Sequence, residues 1–330
     1  HITQVSADYN SGRQAYSANL DGYPTVTRVL KEGLTDAAHT LELEFMGADP
    51  NNSPNGGTAR GWIKTHSTID SQKTFAAYSV QVGWSMKEEI FPDYSNIDFA
   101  FSVMNPNTGT NPEFIPEHSN KGSLWAVSQK VYVDGVDITD SPIAENFSES
   151  EYSKVEVIQK SIGRYPGNAT NLVEINSLFT FVDGKMSLDI KFKALTNFKI
   201  NAGYFFMQPL CTSSFNRLKT GISNVYEIYP SPTYKNETIS EKTETSDFIA
   251  YHTEKDYVLT LHVENKDEWL RTGTSGNAQP TRKAWIEYRD VNLNKVYFSS
   301  FYGLDIQKDF EYRASATYEV SYVKALGATL

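Results

Sequence analysis

The chain has 330 residues, a formal net charge of −10, a pI near 5.2 and one cysteine, Cys211. That length can bury a large core and, at roughly 100 to 200 residues per domain, predicts two or three domains. The negative field repels nucleic acid and anionic membranes, and a lone cysteine rules out an intrachain disulfide, so the fold must rest on packing.

Aromatic residues make up 13% of the chain, with 20 Tyr and 18 Phe. Long tracts of Ala, Leu, Glu and Lys are missing, a balance that suits sheets better than helices. No stretch is long and apolar enough for a transmembrane helix, so membrane insertion is not expected. No signal peptide opens the chain, and its start at His1 leaves a trimmed leader, a processed product and a fragment all open.

Residues 1–33 read as polar and irregular, with SGRQ and LDGYP as turns and TVTRVL as a short strand. In GLTDAAHTLELEF, Leu41, Leu43 and Phe45 alternate with Glu42 and Glu44, the period of a half-buried strand. A loop rich in Pro, Asn and Gly follows, then strand candidates in GWIKTHSTID, FAAYSVQVGWSM and NIDFAFSVM. The polar run 105–123, with three prolines, reads as a domain boundary or a long functional loop. Strands resume in LWAVSQKVYVDGVDI, whose VDG recurs at Val182, Asp183 and Gly184; both copies read as hairpin turns. A helix is expected over 143–152, and KVEVIQKSI reads as a strand.

The segment 172–211 organises the rest. Leu188, Ile190 and Phe192 alternate with Asp189, Lys191 and Lys193. The FVDGK turn before them and the NFKI and GYFFM runs after them predict a meander of neighbouring antiparallel strands. Further strands are expected at 248–251, 256–264, 283–289, 295–302 and 310–323. The last places Tyr312, Ala314, Ala316, Tyr318, Val320 and Tyr322 on one face. About fourteen strand candidates, with no βαβ spacing and no internal repeat, predict an all-β antiparallel β-sandwich of jelly-roll type. Two stacked or tandem sandwiches fit: a small or partial one over 1–70 and a large one over 71–330, with an internal boundary near 105–123.

Chemistry leaves no comparable signature. There is no G-x-S-x-G, H-E-x-x-H, glycine-rich phosphate loop or C-x-x-C. The six histidines are scattered with no pair at ligand spacing, so no cofactor is expected. A structural Ca²⁺ stays open, because backbone carbonyl ligands leave no motif. Cys211 reads as a buried structural thiol, and His262 as a solvated or hydrogen-bonded side chain. Arg164 with Tyr165, and Tyr251 with His252, have the residue types of an elimination site, although turn and strand-edge roles account for both pairs. Catalytic residues stay unassigned.

Sugar binding needs flat aromatics beside hydrogen-bonding groups. Tyr226, Tyr229 and Tyr234 in the loop NVYEIYPSPTY, and Trp269 and Arg271 at the hairpin tip DEWLRTGTSGN, are the candidate substrate-binding residues, with loop packing as the alternative. Trp62, Trp84, Trp125 and Trp285 lie in strand-like runs and read as core. Asn51, Asn146, Asn168 and Asn236 fit the N-glycosylation sequon.

GLTDAAHTLELEF resembles the strand that ends many carbohydrate-associated jelly rolls, including those that follow SGNH-type esterase domains in tailed-phage spikes and fibres. SLDIKFKALTNFKINAGYFFMQPL is similar to β-sandwich modules of such tail proteins. The esterase Gly-Asp-Ser block is absent, and neither His66 nor His118 sits in an Asp-x-x-His pattern. The resemblance implies a glycan-recognising or structural region of a viral tail spike or fibre, on the virion surface or extracellular. Its expected partners are a poly- or oligosaccharide and, when whole, two further copies in a homotrimer. A polysaccharide-degrading hydrolase or lyase and a bacterial glycan-binding adhesion protein are the alternative readings.

Overall fold

The computed structural model describes residues 2–10, 13–20, 59–66, 74–81, 87–90, 93–95, 99–106, 112–115, 123–139, 152–165, 168–220, 224–239, 247–264, 284–289 and 293–322. The chain forms two compact units, His1–Gly47 and Ala48–Leu330. In the first, β1 (Ile2–Asn10) and β2 (Arg13–Leu20) pair antiparallel. The expected strands TVTRVL and GLTDAAHTLELEF and the expected helix at 143–152 lie outside the described residues. None of the described residues is helical.

In the second unit, β3 (Ala59–His66), β4 (Thr74–Gln81), β5 (Lys87–Ile90) and β6 (Asp93–Ser95) form a four-stranded antiparallel meander. The next strands are β7 (Ala100–Met104), β8 (Pro112–Ile115), β9 (Leu124–Val133), β10 (Val136–Asp137), β11 (Lys154–Arg164), β12 (Asn171–Val182), β13 (Lys185–Ala194) and β14 (Phe198–Cys211). The remaining ones are β15 (Arg217–Thr220), β16 (Val225–Glu227), β17 (Lys235–Thr238), β18 (Asp247–Tyr251), β19 (Tyr257–Val263), β20 (Ala284–Tyr288), β21 (Leu293–Ile306) and β22 (Glu311–Tyr322). They build a ten-stranded sheet ordered β10-β9-β11-β12-β13-β22-β19-β18-β15-β16 and a six-stranded sheet ordered β17-β20-β21-β14-β7-β8. Every described pairing is antiparallel.

The two sheets pack face to face as a β-sandwich. Phe101 on β7 meets Phe192 on β13 with ring centroids 5.3 Å apart, and Phe298 on β21 meets Phe248 on β18 at 4.7 Å. The apolar alternation of β13 and β22 turns inward as expected: Leu188, Ile190 and Phe192, and Tyr312, Ala314, Ala316, Tyr318 and Val320, are all buried. Phe101 and Val103 before the 105–123 stretch, Ile115 within it, and Leu124 and Val131 after it belong to the same core.

Both Asp-Gly hairpins form as the sequence predicts. Asp134 and Gly135 have φ of 46° and 82°, and Asp183 and Gly184 have 52° and 75°. Two consecutive left-handed residues match the twist of the flanking strands, and glycine takes the second position without steric cost.

The expected meander breaks after its first hairpin. β12 and β13 are neighbours, but β14 leaves for the opposite sheet, where it pairs with β21 and β7; β13 pairs instead with β22. Period-two alternation identifies the dry face of a strand and says nothing about which strand lies beside it. The crossing is held by backbone bonds from Leu195 N to Leu172 O at 2.8 Å and Asp309 N to Ala194 O at 2.9 Å, and by Lys308 N donating to Asn197 Oδ1 at 2.7 Å. A bulge between Phe205 and Gln208, with Phe206 at φ 63°, lets the adjacent Phe205 and Phe206 both enter the core.

Candidate functional site

The described edge β16 of the ten-stranded sheet and the described edge β17 of the six-stranded sheet are joined by one crossover, residues 228–234. Its sequence, IYPSPTY, explains why the chain leaves the ladder there, because Pro230 and Pro232 have no N–H to donate. The crossover is pinned to both sheets. Ile228 N donates to Asn216 O at 3.0 Å, Ser231 N to Arg289 O at 2.8 Å, and Asn294 Nδ2 to Tyr229 O at 2.8 Å.

This corner encloses an open groove of about 480 Å³, lined by Val225, Tyr226 and Glu227 of β16, Tyr229 of the crossover, Glu237 of β17 and Tyr288 of β20. Val225 is 51% exposed and gives the groove an apolar lip. Tyr226 and Tyr229 are partly buried, each packed with one side against the sandwich core. The Tyr229 and Tyr288 rings tilt by 36° with centroids 4.9 Å apart. The Tyr288 hydroxyl lies 2.9 Å from the Glu227 carbonyl oxygen and 3.0 Å from Glu237 Oε2, and shares its one proton between these acceptors. Burial, and then the Glu237 carboxylate, push the Tyr288 phenol well above its ordinary range, so it stays a hydrogen-bond donor. Glu227 is drawn outward by Arg217, 3.5 Å from its carboxylate. Lys235, exposed on β17, places its ammonium 4.7 Å from the Tyr229 ring centroid and 4.5 Å from that of Tyr288, and donates to the Tyr229 hydroxyl.

The three tyrosines of the loop do not form one patch. Tyr226 and Tyr229 line the groove, whereas Tyr234, 61% exposed, reaches the other face of β20 and donates to Glu287 Oε2 at 3.0 Å. Consecutive strand residues point to opposite faces, so Glu287 and Tyr288 divide the crossover's tyrosines between them. Glu287 is 6% exposed and is paired with Arg289, with the Tyr297 hydroxyl at 3.4 Å. Trp285 sits on this outer face, half-buried and stacked on Tyr297 at 4.9 Å, rather than in the core expected for it. Its neighbours Ala284 and Ile286 take the inner positions.

Trp269 and Arg271, and the side chains of Trp62, Trp84 and Trp125, lie outside the described residues. Glu227, Glu237, Lys235 and Tyr288 were missed by sequence reasoning. The first three sit on short edge strands inside a loop-like stretch, and a strand tyrosine such as Tyr288 reads as core. Cys211 is half-exposed at the end of β14, 3.2 Å from Ser213 Oγ, instead of buried. His262 hydrogen-bonds Asp247 at 2.6 Å on the solvent side, as its polar-face position predicts. In the Arg164–Tyr165 pair, Tyr165 is buried and its phenol is pushed up by that burial and by Glu113, the wrong direction for a base; Arg164 is bound to Asn171 at 2.7 Å. Among the described residues, no three His, Cys, Asp or Glu side chains converge to hold a metal ion.

No protein-family model matches the chain, and no curated protein matches its sequence. Solved structures match the chain at low similarity. The GH36 α-galactosidase AgaA from Geobacillus stearothermophilus is 7% identical with a TM-score of 0.40, over 97% of this chain and 41% of that one. An α-galactosidase from Lactobacillus brevis is 9% identical with a TM-score of 0.41, over 96% of this chain and 38% of that one. The Slr1438 protein from Synechocystis is 7% identical with a TM-score of 0.39, over 86% of this chain and 99% of that one. The chain thus spans about two fifths of the length of these α-galactosidases. Likeness at this level carries no argument about activity.

Proposed function

We propose that the corner groove binds a poly- or oligosaccharide. The observation that carries this reading is the convergence of Tyr226, Tyr229 and Tyr288 with the carboxylates of Glu227 and Glu237 around one open concavity. Ring faces stack on the apolar faces of pyranoses, while carboxylates and phenols bond the rim hydroxyls. Tyr288, held protonated, spends its proton on the Glu227 carbonyl and the Glu237 carboxylate and so orients Glu237 instead of acting as a base, which favours retention over elimination. The tail-spike setting, the homotrimer, and a virion-surface or extracellular location rest on the sequence resemblance alone.

Glycoside hydrolysis is the second reading, and it has one specific observation in its favour: two carboxylates, Glu227 and Glu237, line the same groove. A panel of bacterial, algal and plant polysaccharides separates the two readings, following retention, new reducing ends and the ultraviolet absorbance of unsaturated uronates together. Retention without either product signal is the expected result. Tyr226→Ala and Tyr229→Ala should each weaken retention about fivefold in protein that keeps its cooperative unfolding transition. New reducing ends that disappear in Glu237→Gln would replace binding with hydrolysis. Retention unaffected by both tyrosine variants would remove the groove from consideration.

A further inference from the structure

We propose that the sugar taken by the groove carries protonated amines: an unacetylated amino-sugar chain, in preference to a neutral or uronate glycan. The inference rests on the glycan-binding reading above and narrows it to a class of substrate.

Two observations carry it. The residues lining the groove include two carboxylates, Glu227 and Glu237, and the cation at the groove is Lys235, which sits on the rings of Tyr229 and Tyr288. Arg217 lies outside that lining and draws only on Glu227, at 3.5 Å. A uronate entering beside Glu237 would therefore meet a like charge, whereas an ammonium would meet an opposite one. The second observation is a cation already seated on the rings. The Lys235 ammonium lies within 4.7 Å of the Tyr229 and Tyr288 centroids, so two tilted aromatic faces converge on one positive charge. Lys235 is exposed and carried by a strand at the edge of its sheet, so it can swing away into water at small cost. The ring pair then accepts the amine of a ligand in its place. The tethered lysine marks the position and the charge of what binds.

The opposite possibility is that Lys235 recruits anions, and a single substitution separates the two. The full chain is titrated calorimetrically with β-1,4-linked glucosamine oligomers, the N-acetylated oligomers of equal length, and oligogalacturonate. We expect the unacetylated oligomer to bind about tenfold more tightly than its acetylated counterpart, with the difference shrinking in high salt. Lys235→Met should raise affinity for the amine oligomer about threefold by removing the internal competitor, and Glu237→Gln should lower it about fivefold. Equal binding of neutral and amine oligomers, tighter binding of the uronate, or a loss of affinity in Lys235→Met would overturn the amine inference. If Tyr226→Ala still weakened whatever binding remained, the glycan-binding groove itself would stand. No binding to any of the three oligomers, together with no retention on the polysaccharide panel, would end both.

Discussion

In the six-stranded sheet, the Phe101 ring of β7 is surrounded by Phe99, by Phe205 of β14 and Phe301 of β21, and by Phe192 of the facing β13, at centroid distances of 5.3 to 6.0 Å. At the β17–β20 side of the same sheet tyrosines stand beside Trp285, and four of their hydroxyls have partners: Tyr229 with Lys235, Tyr234 and Tyr297 with Glu287, and Tyr288 with Glu237. A phenyl ring asks only for dry neighbours and tight packing. A phenol also asks for a hydrogen-bond partner, which a sheet edge and a proline-broken crossover supply through charged residues that reach water. The phenylalanine layer therefore closes completely, and the tyrosine corner stays open as a groove.

The largest test of this contrast is Phe301→Ala. Phe301 is fully buried and its ring meets Phe192, Phe205 and Tyr312 at 5.0 to 5.7 Å. Removing it should cost about 3 to 5 kcal/mol of unfolding free energy by chemical denaturation, with any surviving fold keeping its groove. A loss below about 1 kcal/mol would mean that the layer is not close-packed. Glu287→Ala probes the other region at smaller cost. It strands the Arg289 guanidinium and two tyrosine hydroxyls, and should lower stability by about 2 kcal/mol, less than a fully buried pair because Arg289 is half-exposed. Its effect should be concentrated in the crossover. Amide exchange at Ser231, bonded to Arg289 O, should accelerate more than exchange at Ile190 in the centre of the ten-stranded sheet. Equal acceleration at both amides would show that the corner has no independence from the core.

The sheets were legible in the sequence where a strand announces its own face. The inward set of β22, the alternation of β13 and both Asp-Gly hairpins follow from residues close together in the chain. Partner choice was not legible, as the departure of β14 to the opposite sheet shows, because pairing with β21 joins residues about a hundred positions apart. The groove was half legible. Tyr226 and Tyr229 stood out as aromatics in a proline-rich stretch, but Tyr288 lies about sixty residues further on in a strand whose alternation hides its function. Trp285 failed for a related reason. An aromatic on a half-buried sheet can lie on either face, and only its neighbours Ala284 and Ile286, small and aliphatic, hint that the inner positions are theirs.

The smallest effect at neutral pH belongs to the hydroxyl itself. Tyr288→Phe keeps the ring against Tyr229 and removes the proton shared by Glu227 and Glu237, for a loss of about 1 kcal/mol at pH 7. Its larger signature lies in the alkaline range. Tyr288 and Tyr297 are both pushed above the ordinary phenol value of 10.0, chiefly by burial, with the Glu237 carboxylate adding to Tyr288 and the neighbouring Tyr204 to Tyr297. Below that value the folded and unfolded chains both hold these protons, and the stabilisation is complete. As pH rises past 10.0, the unfolded chain ionises while the folded chain does not, so unfolding is favoured progressively. Tyr288→Phe and Tyr297→Phe should each flatten this alkaline decline in denaturant-unfolding free energy, since phenylalanine has nothing to ionise. Phe301→Ala should shift the whole profile downward and leave its slope unchanged. If the tyrosine variants kept the wild-type slope, the corner phenols would be as freely solvated in the folded protein as in the unfolded chain, and the contrast between a closed phenyl layer and an open but ordered phenol site would disappear.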